Sequence, residues 1–409
     1  MLNYFDKNYS AQLKGVERKK YLSKQRIIRC LFLHGVSTCN DIAHRIKPSN
    51  PSVQANLNEL MSGGVVEDKG QGDSTGGRRP NKYGLRGDSF FVLCIDVGRF
   101  QVRLAILDSN MNNLTGIVSH DIKFQDDFTY LDRIIEYAEK LLADSQIDRE
   151  KLIGVGMDMP GAIDARKGIN YSYLYDPEEA LVDIIGKRLS CPVYLENDAN
   201  VLAMAEYWHG HARGKKNAIV LLHSWGIGLG LIINGTIYRG SRGFAGEFSH
   251  IPAVTNGKLC WCNKQGCLET VASATALSIL AREGMKNGSE SSIFGAMDLQ
   301  KENVDPAIII NAANQGDQFA IKILYEVGYE LGKGISALVQ ILNPEIIVLG
   351  GRMAHAKQYT IAPIQNALNS FCNPLLIQDL KIETAKLGQE ASVLGSAIMV
   401  MEGLLSRND

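Results

Sequence analysis

The stretch that constrains the fold most is 246–269, which reads GEFSHIPAVTNGKLCWCNKQGCLE. Three of the chain's eight cysteines are crowded into it, at Cys260, Cys262 and Cys267, and His250 lies ten positions before the first of them. Three thiolates and one imidazole match the ligands that tetrahedral Zn²⁺ prefers, and thiols in a reduced compartment hold metal more often than they form disulfides. We therefore predict a zinc site with four protein ligands. Such a site has no open position for water, so the metal is expected to be structural.

Two other interpretations of this cluster stay open at the level of sequence, namely a redox pair and thiols that are merely buried. The other five cysteines are scattered along the chain and are predicted to be core residues: Cys30, Cys39, Cys94, Cys191 and Cys372.

The length of 409 residues is too great for one ordinary core and predicts two or three domains. The longest apolar runs, such as 218–222 and 346–349, are far shorter than the roughly 20 residues that a membrane span needs. The N-terminus lacks the apolar stretch of a signal peptide. We expect a cytoplasmic protein with no membrane partner.

The formal net charge of -1 conceals an asymmetry. Residues 1–89 hold 15 Lys and Arg against 8 Asp and Glu, whereas the rest of the chain holds 28 against 36. Residues 1–89 thus form a basic head, and the rest of the chain forms an acidic body. This arrangement is typical of a nucleic-acid reader joined to a sensing module, because Lys and Arg displace counterions from phosphate. Uneven surface charge without a binding role is the alternative.

The basic head has the pattern of three helices. Thr38 and Asp41 resemble a capping box before the second helix, and Asn50 is positioned to cap the third. Apolar residues at helical spacing predict these helices over 23–34, 39–46 and 51–62.

Two short strands, 65–67 and 82–85, are predicted to follow, around a Gly-rich loop over 71–81 that contains arginines. Three helices and such a hairpin make a winged helix-turn-helix, which we assign to residues 1–89.

The third helix is predicted to enter the major groove of DNA, and the loop to enter the minor groove. An alternative for the loop arginines is contact with phosphates only, or a place in a solvated linker. The residues predicted to contact DNA are Ser52, Gln54 and Asn58 on the helix and Arg78 and Arg79 in the loop.

From residue 90 onward, apolar strands alternate with helices. A first series consists of strands over 91–97, 102–108, 114–122 and 152–157 and a helix over 130–143, and a comparable series begins near Ala218. This repetition predicts two half-bodies, each a sheet backed by helices, over 90–200 and 201–409, with a ligand cleft between them.

At this point the chain resembles the ROK family, which includes bacterial sugar kinases and sugar-responsive repressors, and in particular its xylose and N-acetylglucosamine repressor branch. The resemblance covers essentially the whole chain. It implies an α/β fold in which a winged helix-turn-helix precedes a two-lobed, actin-like, sugar-kinase-like body. It is carried by 246–250, the cysteine motif up to Glu269, 159–161, 196–200 and 343–351.

In such proteins polar groups hold a sugar, and the matching positions here are Gly161, Asn197, Asp198, Glu247, His250 and Glu269. Carboxylates and amides suit pyranose hydroxyls, which both donate and accept hydrogen bonds. His250 is expected to bind zinc through one ring nitrogen and to offer the other to the sugar. The alternative for Asn197 and Asp198 is that they cap the following helix.

A sugar kinase of this family needs Asp198 as a base and two tight turns around the ATP phosphates. Its first turn reads Asp-x-Gly-Gly-Thr, whereas 96–100 here is Asp-Val-Gly-Arg-Phe, with Arg99 and Phe100 in place of glycine and threonine. Its second turn, Gly-Thr-Gly, appears as Ser224-Trp225-Gly226. These departures predict that the chain has no enzymatic activity and no catalytic residue.

The glycine series over 226–230 is weak evidence for a nucleotide loop, and we expect it to shape a β-turn.

The leading hypothesis is a transcriptional repressor whose affinity for operator DNA changes when a sugar or sugar phosphate binds. One alternative is an active sugar kinase with a DNA-binding appendage, and another is a sensor whose body docks a protein partner. We also expect a homodimer or higher homo-oligomer, because helix-turn-helix proteins usually bind paired half-sites.

Overall fold

A computed structural model of the chain describes residues 3–5, 9, 12–72, 79–297 and 303–405. Its contacts form two compact units, Met1–Asn197 with Ser392–Asp409, and Asp198–Ala391. These units differ from the predicted ranges 1–89, 90–200 and 201–409 in two ways. The head shares a unit with the first lobe, and the end of the chain belongs to that unit as well. Among the described residues, none of the helices is both long enough and apolar enough to cross a membrane.

The head begins with three helices, α1 (Gly15–His34), α2 (Cys39–Ile46) and α3 (Asn50–Ser62). The predicted capping box of α2 is confirmed, since Thr38 and Asp41 exchange hydrogen bonds between side chain and backbone. The predicted cap of α3 was wrong by one residue, because the helix begins at Asn50 and Ser49 is the extended residue before it. Helix α1 starts eight residues earlier than its predicted start, with a largely exposed first turn that apolar spacing does not reveal.

Three antiparallel strands complete the head, β1 (Ser37–Thr38), β2 (Val66–Gln71) and β3 (Asn81–Leu85), in the order β1-β3-β2. The predicted hairpin is therefore confirmed, and β1 is an additional edge strand too short to show a pattern. The tip of the hairpin, 73–78, lies outside the described residues.

The elements of the first lobe are β4 (Phe91–Val97), β5 (Gln101–Asp108), β6 (Val118–Asp121), α4 (Phe128–Asp144), β7 (Leu152–Met159), β8 (Ile163–Asp164), β9 (Ile169–Asn170), α5 (Leu181–Leu189) and β10 (Val193–Asn197). Five of the strands form one sheet in the order β10-β7-β4-β5-β6, in which β4, β5 and β6 are antiparallel and β4, β7 and β10 are parallel. Strand β7 is buried at every residue.

The predicted strand over 114–122 is shorter in the structure, since β6 begins only at Val118. The hydroxyl of Thr115 accepts the backbone N–H of Ile106 (3.1 Å), so a side chain replaces a regular ladder contact at this point.

The elements of the second unit are α6 (Asp198–His209), β11 (Ala218–His223), β12 (Ile227–Ile233), β13 (Thr236–Ile237), α7 (Glu269–Ala272), α8 (Ala274–Lys286), α9 (Ile293–Ala296), α10 (Pro306–Asn314), α11 (Gln318–Leu342), β14 (Ile346–Gly350), α12 (Gln358–Phe371), α13 (Pro374–Ile377) and β15 (Lys381–Thr384). Its strands form a sheet with the same order of connections as in the first lobe, β13-β12-β11-β14-β15, again with an antiparallel meander followed by two parallel strands. The repeated series predicted from residue 218 is thus confirmed.

The glycine series 226–230 was wrongly predicted to shape a β-turn, because its last four residues belong to strand β12. The glycines serve close packing against α6 instead. A Cβ at Gly230 would lie 2.5 Å from the Cβ of Ala203 and 2.6 Å from the carbonyl oxygen of Ala199. Only a residue without a side chain allows the helix to approach the strand this closely.

The last helix, α14 (Glu390–Leu405), continues from the second unit into the first. In the first unit, buried Ser396 donates its hydroxyl to buried Asp158 on β7 (2.9 Å). A Cβ at Gly156 would collide with the backbone of Ser396. This close packing explains why the end of the chain belongs to the first unit.

Candidate functional site

The predicted zinc ligands lie together in the second unit. The ligand atoms of His250, Cys260, Cys262 and Cys267 all lie within 4.8 Å of one another. The Sγ atoms of Cys262 and Cys267 are 3.6 Å apart, and Sγ of Cys260 is 3.6 Å from Nδ1 of His250. A tetrahedral zinc with bonds of about 2.3 Å to sulfur requires ligands roughly 3.8 Å apart. The four residues therefore could hold a metal ion. None of the eight cysteines forms a disulfide, so the three thiols of the cluster are available as ligands.

The backbone around the cluster is folded tightly enough to position these ligands. The N–H of Cys260 donates to the carbonyl of Lys264 (2.8 Å), and the N–H of Ala253 donates to the carbonyl of Gly266 (2.8 Å). Gly266 has a φ of +74°, and a Cβ there would collide with the carbonyl of Val254. Glycine is therefore required one residue before the last thiol.

His250 faces two different partners with its two ring nitrogens. Nδ1 faces Cys260, and Nε2 lies 3.8 Å from Oε2 of Glu247. The indole of Trp261 packs edge-on against the imidazole, with 5.0 Å between ring centroids. Desolvation raises the pKa of Glu247; His250 opposes that shift, and the carboxylate of Glu269 adds to it.

Glu269 stands at the start of α7 and is oriented by two donors. The indole N–H of Trp261 donates to Oε1 (2.5 Å), and the backbone N–H of Ile227 donates to Oε2 (3.3 Å). Gly226 keeps the space beside this carboxylate open, since a Cβ there would lie 2.8 Å from Oε2. Three predicted sugar-binding residues, Glu247, His250 and Glu269, therefore belong to one cluster with the thiols.

Asp198 begins α6, and its Oδ1 accepts the backbone N–H of Ala199 (2.9 Å). A bond to this neighbouring N–H agrees with the helix-start role that was the alternative interpretation of Asp198. The side chain of Asp198 is half-buried.

Asn197 ends β10 in the first unit, where its side-chain amide donates to the carbonyl of Gly161 (3.3 Å). Its backbone N–H donates to buried Glu196 (3.1 Å). The structure therefore brings two of the predicted sugar-binding residues, Asn197 and Gly161, into direct contact.

Asp96 lies next to the last residue of β4, and its carboxylate is 8% exposed and pairs with the guanidinium of Arg103 on β5 (2.5 Å). The guanidinium of Arg99 lies over the ring of Phe100, 5.3 Å from its centroid.

The turn between β11 and β12 is bonded to the start of α8. The carbonyl of Ser224 accepts the N–H of Ala274 (3.0 Å), and the carbonyl of Trp225 accepts the hydroxyl of Thr275 (2.7 Å). The indole of Trp225 packs against the apolar cluster that includes Leu277 on α8.

On the head, α3 exposes Ser52 and Asn58 and leaves Gln54 half-buried. The amide of Gln54 donates both to Oδ1 of Asn58 (3.1 Å) and to the hydroxyl of Tyr83 on β3 (3.0 Å). Arg79 is exposed next to the hairpin tip, whereas Arg78 lies outside the described residues.

Two residues that position predicted site residues, Trp261 and Tyr83, have no role that the sequence indicates. Trp261 was visible between two thiols, but its bond to Glu269 depends on a tight loop that spacing alone does not reveal. Tyr83 was predicted only to lie on the strand over 82–85, and its bond to Gln54 joins residues 29 positions apart.

Comparison with protein families gives a match to the ROK family model over residues 92–402. The xylose repressor of Caldicellulosiruptor bescii is 28% identical over 396 residues, which is 95% of this chain and 97% of that protein. A glucokinase of Halalkalibacterium halodurans is 34% identical over 273 residues, covering 66% of this chain and 82% of that protein.

Among solved structures, a ROK family transcriptional regulator described as a homolog of the E. coli MLC protein superposes with a TM-score of 0.79 at 24% identity. The match covers 95% of this chain and 98% of that one. The predicted fold class, a winged helix-turn-helix followed by a kinase-like α/β body, is confirmed by this likeness.

Proposed function

The chain belongs to the ROK family, and from this premise we propose that it is a sugar-responsive transcriptional repressor that binds operator DNA. The observation that carries the proposal is the extent of the match. The xylose repressor aligns over 95% of this chain, head included, whereas the glucokinase aligns over 66%. The basic winged head gives the chain a DNA-reading module that a sugar kinase does not need.

The sugar, or sugar phosphate, would be held in part by the cluster in the second unit. Glu247, His250 and Glu269 offer hydrogen-bond acceptors and an imidazole within one small region, as a polyhydroxyl ligand requires. Asp198 is a further proposed ligand, and the resemblance adds Asn197 and Gly161 of the first unit.

The metal bound by the cysteine cluster would be zinc with a structural role. Three thiols and one imidazole would hold it and leave no position for a substrate. Zinc bound there would fix the tautomer of His250 and hold its Nε2 toward Glu247.

The DNA contacts would come from Ser52, Gln54 and Asn58 on α3 in the major groove, with Arg78 and Arg79 beside the minor groove. A homodimer would place two heads on paired half-sites, and light scattering at several protein concentrations tests the oligomeric state.

The alternative is a sugar kinase, which the 34% identity with a glucokinase favours. The residues of its two turns disfavour this alternative. Arg99 and Phe100 replace the glycine and threonine of the first phosphate turn, and Trp225 replaces the threonine of the second. Phosphoryl transfer needs both turns for phosphates and Mg²⁺, so we propose that the chain does not phosphorylate sugars.

A single binding experiment tests the function. The purified full chain is incubated with a pool of genomic DNA fragments, and the retained DNA is challenged with a panel of free and phosphorylated sugars. We expect specific, salt-sensitive retention and a change in affinity with one sugar class. Retention of no specific fragment, or ATP consumption with a hexose, would contradict the proposal.

A further inference from the structure

The exposed face of α3 has no basic side chain. The helix reads NPSVQANLNELMS, without Lys, Arg or His, and Ser52, Ala55 and Asn58 are exposed along it. Guanine is read most often by Arg or Lys through its O6 and N7 atoms, whereas Asn or Gln suits adenine and an apolar side chain suits the thymine methyl group. This face therefore has groups for an A·T pair and lacks the usual group for G·C.

The only acid on α3, Glu59, follows Asn58 directly and could in principle accept the amino group of cytosine. Its two carboxylate oxygens are held by lysines of α1, however. Lys20 pairs with Oε1, and Lys24 pairs with Oε2 at 2.7 Å. Glu59 is thus engaged within the protein, and its charge is neutralised next to the face that would meet DNA.

A chain of hydrogen bonds orients the exposed amide of Asn58. The hydroxyl of Tyr83, a residue only 5% exposed on β3, accepts from Nε2 of Gln54, which also donates to Oδ1 of Asn58. The bond from Gln54 uses one of the two lone pairs of Oδ1 of Asn58. The other lone pair and the Nδ2 amine of Asn58 are the acceptor and donor that adenine N6 and N7 require.

We propose that α3 reads an A·T base pair, with Asn58 bonded to adenine, the methyl group of Ala55 against the thymine methyl, and Tyr83 and Gln54 as positioning residues. The inference rests on the proposed DNA-binding function. In place of the direct DNA contact proposed above for Gln54, it gives this residue an action through Asn58. It also gives Tyr83, which lies on strand β3 of the head, a role in selecting the base that is read in the major groove.

The test is in vitro selection from randomised double-stranded DNA with the purified full chain, followed by affinity measurements at one fixed salt concentration. We expect an enriched half-site with one A·T pair whose replacement by G·C weakens binding about tenfold. Asn58→Ala should abolish that preference. Tyr83→Phe should reduce it about threefold while leaving affinity for unselected DNA unchanged.

The double variant separates positioning from structural damage. If Tyr83 acts through Asn58, Tyr83→Phe changes nothing further in the Asn58→Ala background. Val16→Ala, at a largely exposed position of α1, is the control and should keep the full preference. Enrichment of DNA whose base preference is identical for the wild type and Asn58→Ala would overturn this inference and leave the DNA-binding function intact. Failure to enrich any sequence with a folded chain would instead contradict the proposed function itself.

Discussion

The indole N–H of Trp261 donates to the carboxylate of Glu269, and Trp261 itself stands between Cys260 and Cys262. The proposed metal loop and a proposed sugar-binding carboxylate are therefore joined by one side chain.

Trp261→Phe tests this connection. The variant keeps an aromatic ring but loses the indole donor, so Glu269 is left with only the longer bond from the backbone N–H of Ile227. Hydrogen bonds to a charged group contribute about 1.5–3 kcal/mol, and exposure of the indole reduces that value here. We expect the sugar concentration for the half-maximal change in DNA affinity to rise about tenfold, measured by fluorescence anisotropy of labelled operator. DNA affinity without sugar should stay the same. Leu259→Ala, an exposed change in the same loop, is the control.

Cys267→Ser should remove the metal and destabilise the second unit. We expect the metal content, measured by mass spectrometry of the native protein, to fall from one zinc per chain toward zero. Loss of a structural site should lower the melting temperature by about 5 °C or more. Cys191→Ser, at a half-buried thiol of the first lobe, should keep the metal. A Cys267→Ser protein with a full complement of zinc would refute the assigned ligand set.

Gly230→Ala should destabilise the protein, because the new methyl group would press β12 away from α6. Overpacking of this kind costs about 1–3 kcal/mol. Urea unfolding followed by circular dichroism measures the free energy of unfolding. The control is Gly295→Ala in α9, where a Cβ meets no atom within 4 Å and stability should stay unchanged or rise slightly. Equal stability of the two variants would show that the strand and helix are not closely packed.

Asp317 gives the stability of the second unit a predictable dependence on pH. Desolvation opposes its ionisation, but hydrogen bonds from Ala320, Ser292 and Ser291 outweigh it and lower the pKa of Asp317 to about 2. Because the folded-state pKa lies below the ordinary value of 3.8, the stabilisation is complete above about pH 4 and is lost as the pH falls toward 2.

The corresponding variant is Asp317→Asn, which removes the charge at the start of α11. We expect it to lower the free energy of unfolding by about 1 kcal/mol at pH 7, because asparagine still caps the helix but loses the charge that strengthens the hydrogen bonds from Ser291 and Ser292. The difference from the wild type should shrink between pH 4 and pH 2. A difference that stays constant over this range would rule out the charge as its source.

Much of this fold is predictable from local patterns. Buried strands such as β4 are continuous apolar runs, and the capping box at Thr38 is a signal confined to four residues. The thiol cluster was predictable as a set, because three cysteines in eight residues leave little choice of partner. These features depend on short stretches of chain, where spacing and geometry are directly related.

Features that depend on contacts distant in sequence were not predictable. The role of Gly230 depends on how closely α6 approaches, and the pairing of Ser396 with Asp158 joins residues 238 positions apart. Likewise, nothing in the sequence around Gln54 indicates that Tyr83 bonds to it. Packing between distant elements determines these contacts, and residue periodicity contains no information about it.

The path of the chain through α14 has a consequence for synthesis. The unit that contains the DNA-reading head is closed by residues from Ser392 onward, which leave the ribosome only after the whole of Asp198–Ala391 has been made. At about 5–20 residues per second, translation of that segment delays completion by roughly 10–40 s. During this interval the nascent head is already outside the ribosome while β7 still lacks its partner Ser396. A newly made chain thus completes the unit that contains its head only after the whole of the second unit has been synthesised.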